Sequence, residues 1–248
     1  MSALRHILIV GVLMGVAYIP QRTVADEPAD FSQRLAQVHG LVMRGGVTAE
    51  KAEEGYLSVL PVAKSSSERS LVFADVAWML YSLGGPQSSN LTAMYSEEAL
   101  SCSPSADVAG RVYVYWAYSL AANARMWRGG RYAVARRQVV RVCLRGLELV
   151  LEAGAPRERP SLPAVNPYTV VGPAPELEKR HAEEMAALSK AQFLDALFDS
   201  RRSLVQLCAT VYNLPPSDPA ELRALATQAL PEYSEVVQEI MDRLKSGK

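Results

Sequence analysis

Three Gly-Gly pairs, at 45–46, 84–85 and 129–130, divide much of this chain into stretches whose apolar residues recur three and four positions apart. That spacing is the period of a helix, and paired glycines are where such helices stop, because glycine accepts the terminal turn without steric cost. The pattern predicts an all-α chain of stacked antiparallel hairpins. In residues 29–44, Phe31, Leu35, Val38 and Val42 share one face before Gly45-Gly46. Thr48 is placed to cap a second helix, with Lys51 where the acid of a capping box would sit. Ala52, Tyr56, Val59 and Leu60 line that helix and Pro61 closes it. Ser65–Ser67 reads as a loop, residues 68–83 as a third helix ended by Gly84-Gly85-Pro86, and Asn90–Ser101 as a fourth.

Residues 107–126 pull two ways. Arg111–Tyr118 alternates and is rich in β-formers, which favours a strand. Ala109, Tyr113, Trp116, Leu120 and Ala124 keep a helical period, and no partner strand is in sight, so a helix is predicted. Another runs from Arg131 to Glu152, with Val139, Val142, Cys143, Gly146, Leu147 and Val150 as its core face. Six prolines within 154–175 make a strap that cannot be a core. Its apolar members, Leu162, Val165, Tyr168, Val170 and Val171, predict that it lies along the helices. From Glu176 the helical pattern continues to Asn213. A helix of that length spans roughly 55 Å, more than a small domain is wide, so a kink or a protruding end is expected. Short helices split at Pro231 complete a tail, and the expected organisation is 26–153, strap, then 176–248.

Phe73, Val76, Ala77, Leu80, Leu83 and Gly84 carry the first-helix spacing of a tetratricopeptide repeat, and Glu98-Ala99-Leu100 followed by Pro104 its closing pattern. Ala52, Tyr56, Leu60 and Pro61 echo that second helix. Residues 29–104 therefore resemble tetratricopeptide-like helical repeats. Ala77 stands where that family prefers glycine, and Tyr95 is one position out of place. The resemblance implies a stacked helical layer with protein or peptide partners.

The N-terminus reads as an address. Arg5 and His6 precede the run Ile7–Ile19, and Thr23-Val24-Ala25 supplies small residues for a cut after Ala25. These are the parts of a signal peptide over 1–25, and the run is shorter than the ~20 residues of a membrane span; an uncleaved anchor is the rival reading. An exported chain is expected, periplasmic or extracellular, with no membrane span after cleavage. In that oxidising space Cys102, Cys143 and Cys208 are an odd set, none in a CxxC. Each lies in an apolar-periodic stretch, where a buried thiol behaves as a small hydrophobe; one bridge is the alternative.

With 49% hydrophobic and 21% charged residues the chain can bury a core, which excludes a disordered chain or a disulfide-stapled mini-protein. Zero formal net charge argues against bulk nucleic-acid affinity. No catalytic, cofactor or metal motif stands out. His181 has Glu178 and Glu184 three residues to either side, but a site needs three or four converging ligands. A serine nucleophile would lack its elbow, and glycines that could cradle phosphate are helix stops.

One segment departs from the rest. Between Asp107 and Glu148 there is no acid and no lysine, yet eight arginines: 111, 125, 128, 131, 136, 137, 141 and 145. Six of the chain's aromatics lie in the same stretch, among them Tyr115, Trp116 and Trp127. Arg137, Arg141 and Arg145 recur every four residues and share a face, and the arginine fork suits carboxylate, sulfate and aromatic surfaces. Arg128, Arg131, Arg137, Arg141, Arg145, Trp127 and Tyr115 are the candidate partner-binding residues. The competing reading is internal pairing with Glu176, Glu178, Glu183 and Glu184. Together these features point to an exported, non-enzymatic scaffold that recognises a protein, peptide or other anionic partner through a concave face and the arginine strip. The alternative is a helical enzyme or accessory protein acting on cell-wall or anionic polysaccharide.

Overall fold

The computed structural model describes residues 30–124, 130–163 and 175–212, together with Gln238, Glu239 and Asp242. The signal segment, the 125–129 break, the strap from 164 to 174 and the tail helices around Pro231 lie outside the described residues. The described chain is all-α. Its helices are α1 (Phe31–Met43), α2 (Ala49–Leu57), α3 (Ser66–Leu83), α4 (Pro86–Ser101), α5 (Ala106–Ala124), α6 (Gly130–Glu152) and α7 (Pro175–Tyr212), with a 3₁₀ turn at Leu60–Val62. No helix among the described residues is long and apolar enough to cross a membrane.

Local chemistry sets the boundaries. Gly45, Gly46, Gly84 and Gly85 all adopt positive φ, the left-handed backbone that glycine takes without strain. The Thr48 hydroxyl caps α2 by accepting from the Lys51 amide. Ser65–Ser67 is not the loop expected. The Ser65 hydroxyl accepts from the Glu68 amide at 3.1 Å, and the Glu68 carboxylate accepts from the Ser65 amide at 3.0 Å. This complete capping box starts α3 at Ser66. Pro86 likewise does not end α3 but opens α4, where its fixed φ and missing N–H cost nothing in the first turn. α4 therefore begins before Asn90.

α5 is helical throughout, with no strand at 112–118. Burial overrides β-propensity here: Val108, Val112, Ala117, Ala121 and Ala124 are buried at helical spacing, an arrangement a strand would split between two faces. Two cores result. Phe31, Tyr56, Val72, Val76, Leu80 and Tyr95 form one among α1–α4. Val139, Cys143, Leu147, Leu204, Val205 and Cys208 form the other among α5–α7. A third cluster of Ala74, Ala99, Val108 and Val112 joins them across α3, α4 and α5. α7 thus shares a core with α5 and α6 rather than building its own.

Each helix packs on its neighbour in sequence, and the odd-numbered helices also pack on one another, α1 on α3, α3 on α5 and α5 on α7. Sequence-distant side chains are thereby brought to one odd-helix face. α7 is 38 residues long, and its buried residues run from Leu197 to Val211. Among the described side chains of its first half none is fully buried, and those of His181, Glu184, Leu188 and Ala191 are half-buried. The segment after α6 docks on α7 through Arg159, which sits 5.3 Å over the Phe198 ring, 3.1 Å from Asp195 Oδ1, and pairs with Asp199. Farther along, buried Arg201 donates to Glu239 at 2.6 Å.

Candidate functional site

A cluster of polar and aromatic side chains lies where α1, α2 and α3 meet, and continues from α3 onto α5. Leu35, Val38 and Val42 turn α1 into the first core, which leaves His39 at the edge of that face. Tyr56 is fully buried in α2, and its hydroxyl shares a 3.0 Å hydrogen bond with His39 Nδ1. A buried phenol needs such a partner. Burial, and then the charge of Asp75, push the Tyr56 hydroxyl far above its ordinary range.

Asp75 is the one acid in the apolar body of α3. Its Oδ2 stands 3.9 Å from His39 Nδ1, an ion-pair distance but too long for a hydrogen bond. Burial raises the carboxyl above its ordinary value, while His39 and Arg111 pull it back down. The His39 and Asp75 side chains remain 40% and 29% exposed, so the pair is open to solvent and not sealed in a cleft. One turn on, Trp78 stacks on His39 with ring centroids 5.1 Å apart.

The aromatic surface continues onto α5. Tyr81 stacks on Tyr115 at 5.7 Å and meets Tyr118 edge-on at 6.3 Å. Tyr115 is pushed up to about 12, chiefly by burial; the Arg111 charge lowers it, while Asp75 and Tyr81 raise it. Asp75 and Trp78 are three residues apart on α3, and Arg111, Tyr115 and Tyr118 follow at four and three on α5. Both sets form a single stripe on their helix. The result is a row of aromatic planes holding one carboxylate between an imidazole and an exposed guanidinium.

This geometry suits recognition better than bond-breaking. The His39 nitrogen nearest Asp75 is already engaged by Tyr56, so the imidazole is not the carboxylate-oriented base of a hydrolytic triad. Among the described residues no three His, Cys, Asp or Glu side chains converge as a metal site requires.

The arginine strip is elsewhere. Arg137, Arg141 and Arg145 are exposed on α6, while the adjacent Arg136 turns inward and is buried. Arg145 and Glu148 both act on Tyr113, so that end of the strip carries an acid of its own. The charges that act on Tyr115 are those of Arg111, Asp75 and Tyr81, on α5 and α3. Trp127 and Arg128 lie outside the described residues, as do the side chains of Arg131, Glu176 and Glu178. Glu183 is exposed on α7, and Arg137 and Glu184 each have a polar or electrostatic partner. Sequence reasoning did not single out His39, Asp75 or Trp78. A lone acid inside an apolar helix was the available signal. Comparison with protein-family profiles, with curated proteins and with solved structures finds no match.

Proposed function

We propose that the chain is an exported, non-enzymatic binding module that takes a protein or peptide partner on the odd-helix face of α1, α3 and α5. The observation that carries this is the aromatic set Trp78, Tyr81, Tyr115 and Tyr118 on α3 and α5, with Asp75 beside His39 and within the field of Arg111. Tyr, Trp and Arg are the side chains that dominate binding energy at protein interfaces, because they offer large rigid area with a polar tip. The resemblance of residues 29–104 to tetratricopeptide-like repeats supports the same partner class. The Arg137, Arg141 and Arg145 strip on α6 supports a second, anionic contact, and the Arg5–Ala25 pattern supports export.

The experiment is capture of partners from envelope extract by the chain lacking residues 1–25, alongside Arg111→Glu and Arg137→Glu/Arg141→Glu variants. Arg111 is exposed, so its change should leave the helical signal intact while abolishing capture of the principal partner. The strip variant should lose only contacts that salt also weakens. Undiminished capture by Arg111→Glu in the same extract would remove the odd-helix face as the site.

The polysaccharide-enzyme reading rests on one observation, the raised Asp75 carboxyl beside His39. Release of reducing ends from an anionic polysaccharide, abolished by Asp75→Asn, would favour it over the scaffold.

A further inference from the structure

The α6–α7 interface holds two of the three cysteines. Cys143 and Cys208 are both fully buried in the core that α5, α6 and α7 share. Burial pushes the Cys143 thiol up first of all, and the neighbouring Cys208 thiol adds to that rise. The packing around them fixes their register independently. A Cβ placed on Gly110 of α5 would meet Val150 Cγ1 at 2.8 Å and Ser200 Oγ at 2.9 Å, so Val150 and Ser200 crowd one point. A Cβ on Gly146 would meet Leu204 Cδ1 at 2.8 Å. Moving back four residues on α6 thus moves forward four on α7, as antiparallel helices require. One further turn sets residues 142 and 143 against Cys208.

Close approach matters because a disulfide needs Cα atoms roughly 4.4–6.8 Å apart, nearer than most facing pairs on packed helices. Gly146, one turn from Cys143, removes the side chain that would hold the helices apart.

We propose that Cys143 and Cys208 are an oxidisable dithiol that closes to an intramolecular disulfide, fastening α7 to α6, when the chain folds in an oxidising medium. The new bond joins Sγ to Sγ. The two thiol hydrogens and their electrons pass to a small-molecule disulfide of the glutathione class, which leaves as two thiols. Full burial of both sulfurs shields them from oxidant in the folded chain, and burial keeps the Cys143 thiol protonated. The thiolate is the attacking form, so closure belongs to folding, before α7 is seated, or to an opened state. Cys102 is only half-buried and sits at the end of α4, outside this core. The bond would tie α7 to α6 directly, where the strap between them is otherwise the covalent link.

The test is refolding of the chain, and of Cys102→Ser, in glutathione disulfide or in dithiothreitol, followed by intact mass and non-reducing peptide mapping. The expected oxidised product is lighter by two hydrogens and links the Cys143 and Cys208 peptides. It keeps the helical circular dichroism of the reduced form and melts at a higher temperature, a gain that dithiothreitol reverses. Retention of both thiols after oxidative refolding of either protein would overturn the proposal. So would a bond that lowers the helical signal or the melting temperature, or a map in which Cys102 is the linked residue.

Discussion

Gly146 and Tyr113 stand so close that no methyl group fits between them: a Cβ at 146 would lie 2.7 Å from the Cβ of Tyr113. This contact brings α6 against α5 at the centre of the second core. Two effects compete in Gly146→Ala. Helix propensity favours alanine by about 1 kcal/mol. Overpacking costs about 1–3 kcal/mol, and Tyr113 Cβ is anchored to backbone and cannot rotate away. Loss of stability is therefore expected, seen as a lower denaturation midpoint. Gly110→Ala should lose less, because its tightest contacts are the outer atoms Val150 Cγ1 at 2.8 Å and Ser200 Oγ at 2.9 Å, with the anchored Ser200 Cβ farther off at 3.0 Å. A stabilised Gly146→Ala would show that the helices are not in this contact.

Asp75 should make stability depend on pH in an unusual direction. Its folded carboxyl is raised above the ordinary 3.8, chiefly by burial, so the folded chain holds that proton more tightly than the unfolded chain does. The resulting stabilisation is complete below 3.8 and is lost as pH rises through the folded value. Asp75→Asn should therefore gain on the wild type as pH rises from acid to neutral. Arg111→Ala should do the opposite, since it removes a charge that lowers the carboxyl. Melting temperatures of the three proteins across that range are the measurement, and parallel curves would contradict it.

Alkali should unfold the chain before its tyrosines ionise freely. Tyr56, Tyr81, Tyr95, Tyr113, Tyr115 and Tyr118 are all raised above 10.0, first of all by burial, and Tyr95, Tyr115 and Tyr118 reach about 12. The folded state thus keeps protons that the unfolded state releases, and the stability this provides is present below pH 10 and drains away toward 12. Phenolate absorbance from this group should rise only together with loss of helical circular dichroism. Ionisation at ordinary values in a still-helical protein would mean that these rings are wet.

The capping box is a local device with a local cost. Ser65→Ala should destabilise by about 1 kcal/mol, and Ser65→Asp, which keeps an acceptor, should lose much less. Urea midpoints of the two variants test this, and equal midpoints would mean that α3 does not depend on its cap.

Much of the fold was legible because helical period and glycine punctuation are local properties. Phe31, Leu35, Val38 and Val42 announced α1, and Gly45-Gly46 its end. The misplaced boundaries are instructive. Ser65-Ser66-Ser67-Glu68 carries the full capping-box signature, yet three serines resemble a loop until Glu68 is read as the third helical residue. Pro86 reads as a terminator because proline ends helices as well as opening them, and the choice depends on where the next buried face begins. At Arg111–Tyr118 local propensity pointed to a strand, and the longer apolar period was the better guide.

The candidate face was far less legible. Tyr115 is one of the candidates that the sequence groups with the arginines of α6. Its companions are Tyr81 from α3 and Arg111 from its own helix. His39, Tyr56 and Asp75 are spread over three helices, and no spacing along the chain connects them.

The residues alone determined that this chain forms amphipathic helices, and where most of them begin and end. Those outcomes depend on interactions within a few residues: glycine torsions, side-chain caps and apolar spacing. Only the tertiary structure decided that His39, Asp75 and Arg111 share a face and that Cys143 meets Cys208. Those meetings depend on which helix packs on which, and at what register, and close contacts such as Gly146 with Tyr113 and Leu204 set that register across the gap between helices.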